Sequence, residues 1–161
     1  MKSKSQFFRL VYFVLSLFFF SCDSNAFDFS GMEGMELQLF NEINSYRTSF
    51  SNNPAYRTDQ AIYEQAKRYA IKMAEKRRTL NEPTDQRKSA IRKSITFGNY
   101  GEIEMKIGFQ FQINPASHAF ENIKRSYSRY MISDSYNACA VGAMQDQQGN
   151  TYFSVIFIEA L

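Results

Sequence analysis

One histidine, two cysteines and no tryptophan leave this 161-residue chain few side chains with which to do chemistry. A catalytic cysteine needs a base beside it, and His118 is the only imidazole on offer. Cys139 stands between Ala138 and Ala140 in an apolar run, which predicts a small buried hydrophobe rather than a nucleophile. His118, next to Ala119 at the start of a predicted helix, reads as a surface or capping residue. A single imidazole also argues against a His-rich metal protein.

Cys22 has another chemistry open to it. The basic stretch Met1 to Arg9 is followed by an eleven-residue apolar run, Leu10 to Phe20. That is the length of a signal-peptide core and about half the ~20 residues a membrane-spanning helix needs. Phe19-Phe20-Ser21-Cys22 then resembles a bacterial lipobox, in which a small residue precedes a cysteine that is lipidated on sulfur. Residues 1–21 are therefore expected to be a signal peptide of lipoprotein type, with membrane attachment through Cys22 in the cell envelope. The alternative is ordinary cleavage after Ala26, at Ser24-Asn25-Ala26, which would release a secreted protein. Residues 22–34, rich in Asp, Ser, Asn and Gly, read as a tether, and 35–161 as one domain. Lipid on Cys22 would leave Cys139 without a disulfide partner.

The charges support that division. Lys2, Lys4 and Arg9 carry the whole formal surplus of +3, and the chain from Cys22 onward nets to zero. A remainder that nets to zero does not fit a binder of the nucleic-acid backbone, so no nucleic-acid partner is expected. Zero net charge hides a strong polarity: Asp23 to Glu64 sums to −5 and Lys67 to Lys93 to +7. The basic stretch could meet an anionic surface, or it could pair with the acidic first helix.

The elements that must position these groups follow from periodicity. Met35, Leu39, Ile43, Tyr46 and Phe50 form one helical stripe, and Ser51-Asn52-Asn53-Pro54 ends it. Thr58-Asp59 caps a second helix whose stripe is Ile62, Ala66, Tyr69, Ala70 and Met73, running to about Arg77. Thr79 to Lys88 reads as a loop around Asn81-Glu82-Pro83-Thr84-Asp85. The alternation of Ile107, Phe109, Phe111 and Ile113 with Gly108, Gln110 and Gln112 predicts a strand with one wet face. A third helix is expected from about Ala116 to Tyr130, then strands Ala138 to Met144 and Tyr152 to Ile158 around the turn Asp146 to Asn150. The second of these strands, nearly all apolar, should be central and covered on both faces. The predicted class is α+β, a sheet between helices in a three-layer α-β-α sandwich.

Four segments resemble, in order, the motifs of the CAP superfamily, the SCP-like extracellular domains. Asn44 to Arg47 is similar to its "L-N-x-x-R" helix, and Ala66 to Ala74 to its "A-x-x-H-A-x-x-M-A" helix. Asn99-Tyr100-Gly101-Glu102-Ile103 looks like "G-E-N-I", and Ala138 to Ala143 with Tyr152 to Phe157 like the closing "I-G-V-G-V … Y-W-V-Q-x-F" hairpin. The resemblance spans about Met35 to Phe157 and implies the same α-β-α sandwich. Typical members place two histidines and two acids in a shared cleft, sometimes with a divalent metal. Here the first histidine position falls on Tyr69 and the second on or next to Tyr127, while Glu102 is the one acid recovered. A phenol with a pKa near 10 is a poor metal ligand at neutral pH and cannot stand in for imidazole in proton transfer.

The ligand-cleft candidates are thus Tyr69, Glu102 and Tyr127, with Glu102 the one catalytic candidate and no metal or cofactor expected. The leading expectation is a non-catalytic CAP/SCP-like domain, envelope-bound or secreted, binding a lipid, glycan or protein. One alternative is a hydrolase using Glu102 in a Tyr-lined cleft. The other is an interaction module that docks its Lys67–Lys93 face on an anionic surface.

Overall fold

The computed structural model describes residues 31–161. The expected signal segment, Cys22 and most of the expected tether fall outside the described residues. Helix α1 (Gly34–Ser51) and helix α2 (Gln60–Lys76) come first, then a short α3 (Asp85–Arg92). Strand β1 (Phe97–Ile107), α4 (Pro115–Ser126), α5 (Ser128–Ile132), β2 (Ala138–Gln145) and β3 (Thr151–Ala160) complete the chain. The strands form one antiparallel sheet in the order β1-β3-β2.

β3 is central for the reason its composition gives: every residue from Tyr152 to Ile158 is 0% exposed. One face of the sheet, Ile103, Val141, Val155 and Phe157 among it, packs on Leu39 and Ile43 of α1, Ala119 and Ile123 of α4 and Met131 of α5. The other face, with Ala140, Ile156 and Ile158, packs on Ile62 and Ala66 of α2 and Ile91 of α3. At roughly 1.5–3 kcal/mol for each large apolar side chain withdrawn from water, these two cores dominate the folding free energy. The result is the α-β-α sandwich.

Three segments depart from the periodicity. The strand expected at 107–113 ends at Ile107, and Phe109–Phe111 forms a 3-10 turn. Ile107 pairs with Thr151, the first residue of β3, so beyond it the alternating residues have no strand to join. The loop expected at 79–88 contains the start of α3, whose Ile91 is fully buried. The single helix expected over 116–130 breaks at Tyr127, where φ is −137°. Within the first stripe, Phe50 turns out to solvent and is 71% exposed.

The position after Ile43 on the α1 stripe is Arg47, only 2% exposed. Its guanidinium donates to the carbonyls of Pro54 (2.7 Å), Met131 (3.0 Å), Ser133 (2.7 Å) and Tyr136 (3.0 Å), and to the Tyr56 hydroxyl (2.8 Å). Asn44 accepts from the Tyr56 amide at 2.7 Å. The Asn-x-x-Arg pair is therefore a clasp that holds two loops and the end of α5 against α1, a buried charge kept tolerable by many acceptors.

β2 is an edge strand, and its open side is covered. Glu36 accepts from the Ala143 amide at 2.7 Å, and Lys67 donates to the Ala143 carbonyl at 2.9 Å. The two side chains also pair with each other at 2.7 Å. Further along, the Cys139 amide donates to the Arg57 carbonyl at 2.9 Å. Such cover keeps a free edge from recruiting another chain. α2 reaches β2 closely because position 142 is glycine: a Cβ there would lie 2.2 Å from the carbonyl carbon of Ala66.

Candidate functional site

On β1, Tyr100, Glu102 and Glu104 alternate with the buried Ile103 and Met105, so they project toward the α2 and α3 layer. α2 brings Tyr69 over them, and α3 brings Arg87. Arg87 Nε donates to Glu102 Oε2 at 2.9 Å, with the two side chains only 8% and 5% exposed. The Tyr100 hydroxyl donates to the same oxygen at 2.7 Å, and Ser154 Oγ faces Oε1 at 3.5 Å. Arg87 also donates to the Glu82 carbonyl at 3.1 Å, and its guanidinium carbon lies over the Tyr69 ring, 3.7 Å from the centroid. The Tyr69 hydroxyl donates to Glu104 Oε1 at 2.9 Å and accepts from the Glu82 amide at 3.1 Å. Glu104 Oε2 in turn accepts from the amides of Leu80 and Asn81, at 2.8 and 2.9 Å.

These contacts settle the protonation of the cluster. Burial first, and then the Glu102 carboxylate, push the Tyr100 phenol far above its ordinary value. Burial, with the hydrogen bond to Glu104, pushes Tyr69 up to about 12. Burial works against the Arg87 charge, but Glu102 outweighs it and holds the guanidinium more firmly protonated than usual. Both phenols are neutral donors at physiological pH, and neither can serve as a base there.

The cluster does not suit a divalent ion. The Arg87 guanidinium stands where a cation would approach Glu102, and Tyr69 offers a protonated oxygen already committed to Glu104. No group of three His, Cys, Asp or Glu side chains among the described residues could hold a metal.

The structure brings Tyr69 and Glu102 onto one guanidinium but leaves Tyr127 elsewhere. Tyr127 sits between α4 and α5, in the opposite helical layer, and is 40% exposed. His118 is exposed at the start of α4, its ring against Phe111 at 4.2 Å between centroids. Cys139 is fully buried, and burial pushes its thiol far above the ordinary value. The residues that complete the cluster, Arg87, Glu104, Tyr100 and Ser154, carried a faint signal in the sequence. Polar residues at 100, 102 and 104 share one face of a strand whose other face is apolar, and such a face needs counter-charge from somewhere.

A cleft of about 430 Å³ between α2 and α3 opens over Tyr69 and Arg87, with Arg68, Lys72, Glu75 and Glu82 on its walls. A larger groove of about 830 Å³ runs on the other side of the molecule between α1 and α4. Tyr46, Phe50 and Phe120 line it, with Leu37 at one end and Lys124 at the rim. Phe50 stacks on Tyr46 at 4.5 Å between centroids, and Phe120 meets Tyr46 edge-on at 6.0 Å.

No protein-family model matches this chain, and no curated protein does. Solved structures do. An outer surface protein of Borrelia burgdorferi superposes with a TM-score of 0.62 at 22% identity, over 78% of this chain and 92% of that one. Venom allergen-like protein 4 of Schistosoma mansoni gives 0.59 at 9% identity, over 81% and 91%. A cysteine-rich secretory protein of Staphylococcus aureus gives 0.56 at 17% identity, over 78% of this chain and 38% of that one. The last two are CAP proteins. The chain has a CAP/SCP-like fold. The motifs that resembled the superfamily now have places in it. The Asn44–Arg47 clasp sits on α1, the Ala66–Ala74 block forms the inner face of α2, Glu102 lies on β1, and Gly142 seats α2 on the hairpin.

Proposed function

We propose that the protein is a non-catalytic CAP-like domain of the cell envelope or exterior that binds a lipid, glycan or protein partner. The observation that carries this reading is the Arg87–Glu102 pair. A general acid or base must reach its substrate. Glu102 is instead 5% exposed, with one oxygen taken by Arg87 and Tyr100 and the other facing Ser154. The location follows from the signal-like leader with Cys22, and is supported by the outer-surface and secretory names of structures sharing the fold.

For a ligand, the groove between α1 and α4 is the better candidate. Its volume lies in the usual range for small-molecule sites, and its aromatic floor, with Lys124 and Glu42 both on the walls, favours an amphipathic molecule over a wholly polar one. Native mass spectrometry of the protein as purified, and again after delipidation and incubation with phospholipid, tests this. A bound lipid that is lost in Phe50→Ser/Phe120→Ser supports the lipid version, and absence of any adduct removes it in favour of glycan or protein. The competing hydrolase reading needs an ester, glycoside or peptide hydrolysis that Glu102→Gln abolishes in a variant that still folds. Such a result would overturn the non-catalytic reading.

A further inference from the structure

The segment after β1 exposes three large apolar side chains in a row of alternate positions. Phe109 is 52% exposed, Phe111 39% and Ile113 97%. They are the residues whose alternation suggested a strand, yet they neither pair in the sheet nor enter either core. Contiguous exposed apolar groups on an otherwise polar surface mark a contact with something less polar than water.

Their position in the fold says with what. The Phe109 amide donates to Asn150 in the β2–β3 turn at 3.2 Å, and a Cβ on Gly149 would lie 2.5 Å from the Phe109 ring. The same end of the sandwich receives the C-terminus of α2. Arg77 shares a cleft there with Met144 to Gln147, and Lys106 reaches the Arg77 carbonyl at 3.5 Å. Lys76, Arg77 and Arg78 are all exposed. The described chain also begins at this end, where Gly31 and Glu33 meet Met144 and Gln145. Gly31 follows Cys22 by nine residues, which span at most about 30 Å.

We propose that this end of the molecule rests on a phospholipid bilayer bearing anionic headgroups. Phe109, Phe111 and Ile113 enter the interface, and Lys76, Arg77 and Arg78 lie over the headgroups. The combination is that of interfacial anchoring, apolar groups for depth and cations for attraction. Glu33, Glu75 and Asp146 share this end, so insertion carries more of the affinity than charge does. The inference rests on the envelope part of the reading above and is independent of the groove and of Glu102. It also orients the domain: the far end, with Ser135 and the Arg47 clasp, points away from the membrane.

The chain contains no tryptophan, so a single introduced indole is an unambiguous reporter. The mature chain from residue 22, prepared with Cys22→Ser so that no acyl group contributes, keeps both cores within residues 31–161. It is mixed with vesicles of phosphatidylglycerol and phosphatidylcholine. The indole of Ile113→Trp should shift its emission to shorter wavelength and be quenched by brominated acyl chains. The indole of Ser135→Trp should do neither. Phe109→Ser/Phe111→Ser/Ile113→Ser should weaken vesicle flotation at least about tenfold with its melting curve unchanged. Arg77→Gln/Arg78→Gln should weaken it only on anionic vesicles, by about fivefold in all because the neighbouring carboxylates already offset part of the attraction, and less at high salt. Absence of flotation, or flotation with the Ile113→Trp indole still in water, would overturn the proposal. A failed ligand search in the α1–α4 groove would leave it standing.

Discussion

Replacing Arg87 with methionine removes the one cation on Glu102 while keeping an unbranched stem against the Tyr69 ring. In the native protein the pair meets at 2.9 Å, with side chains 8% and 5% exposed. Without the guanidinium, Glu102 keeps the Tyr100 hydroxyl at 2.7 Å and a marginal contact to Ser154 at 3.5 Å, too little to offset a buried charge. The Glu82 carbonyl loses its donor as well. Breaking one side of a buried pair costs about 3–5 kcal/mol. In a domain of this size that lowers the melting temperature by roughly 10–20 °C. Arg87→Met/Glu102→Gln should recover most of the loss, because a neutral pair leaves no orphaned charge. Urea unfolding followed by circular dichroism measures both. A loss below about 1 kcal/mol, or a double variant no more stable than Arg87→Met alone, would refute the argument that the guanidinium neutralises this carboxylate.

Arg47→Met should cost about 3–5 kcal/mol by urea unfolding, since the carbonyls of Pro54, Met131, Ser133 and Tyr136 lose a common donor. Arg47→Lys should restore only part, because an ammonium cannot span that fork. Gly142→Ala should destabilise by about 1–3 kcal/mol, as α2 must back away from a Cβ 2.2 Å from the Ala66 backbone. Glu36→Ala uncovers the β2 edge at Ala143, and light scattering should show self-association along with a loss of about 1–3 kcal/mol. Asp146 bears a burial cost that is outweighed by the combined hydrogen bonds from Asn150, Gln148 and Tyr152, which hold its carboxyl below the usual range. A depressed folded pKa adds stability above the unfolded value that disappears as pH falls through the folded one. The wild type should then lose stability on acidification in that window, and Asp146→Asn should flatten this part of the thermal profile.

Much of the fold was legible because the strongest signals were local. The stripes Leu39–Ile43 and Ile62–Ala66–Tyr69–Ala70–Met73 have helical spacing that only a buried face explains, and both are buried. The two closing strands, and the central place of β3, followed from composition alone, because a run with no polar alternation must be covered on both sides. The 107–113 segment shows where local pattern stops deciding. Its period is that of a strand, but a strand needs a partner, and the register of β3 runs out at Thr151 opposite Ile107. In the same way Ala116 to Tyr130 looked like one helix. The chain breaks at Tyr127 instead, and the carbonyls of Met131 and Ser133 turn to the Arg47 guanidinium.

The candidate site divides along the same line. The order of the motifs singled out Tyr69 and Glu102, and the structure puts both against Arg87. Tyr127 was reached by counting along the chain, and it lies in the other helical layer. The sequence by itself determined the class of fold and the zero net charge from Cys22 onward. Only the tertiary structure decided what surrounds Glu102, because a segment that reads as a loop folds into α3 and carries Arg87 to a carboxylate fifteen residues away. An ion pair between distant segments leaves no period in the sequence. It exists only once a sheet face has been buried with a charge on it and some cation must be found to share the burial.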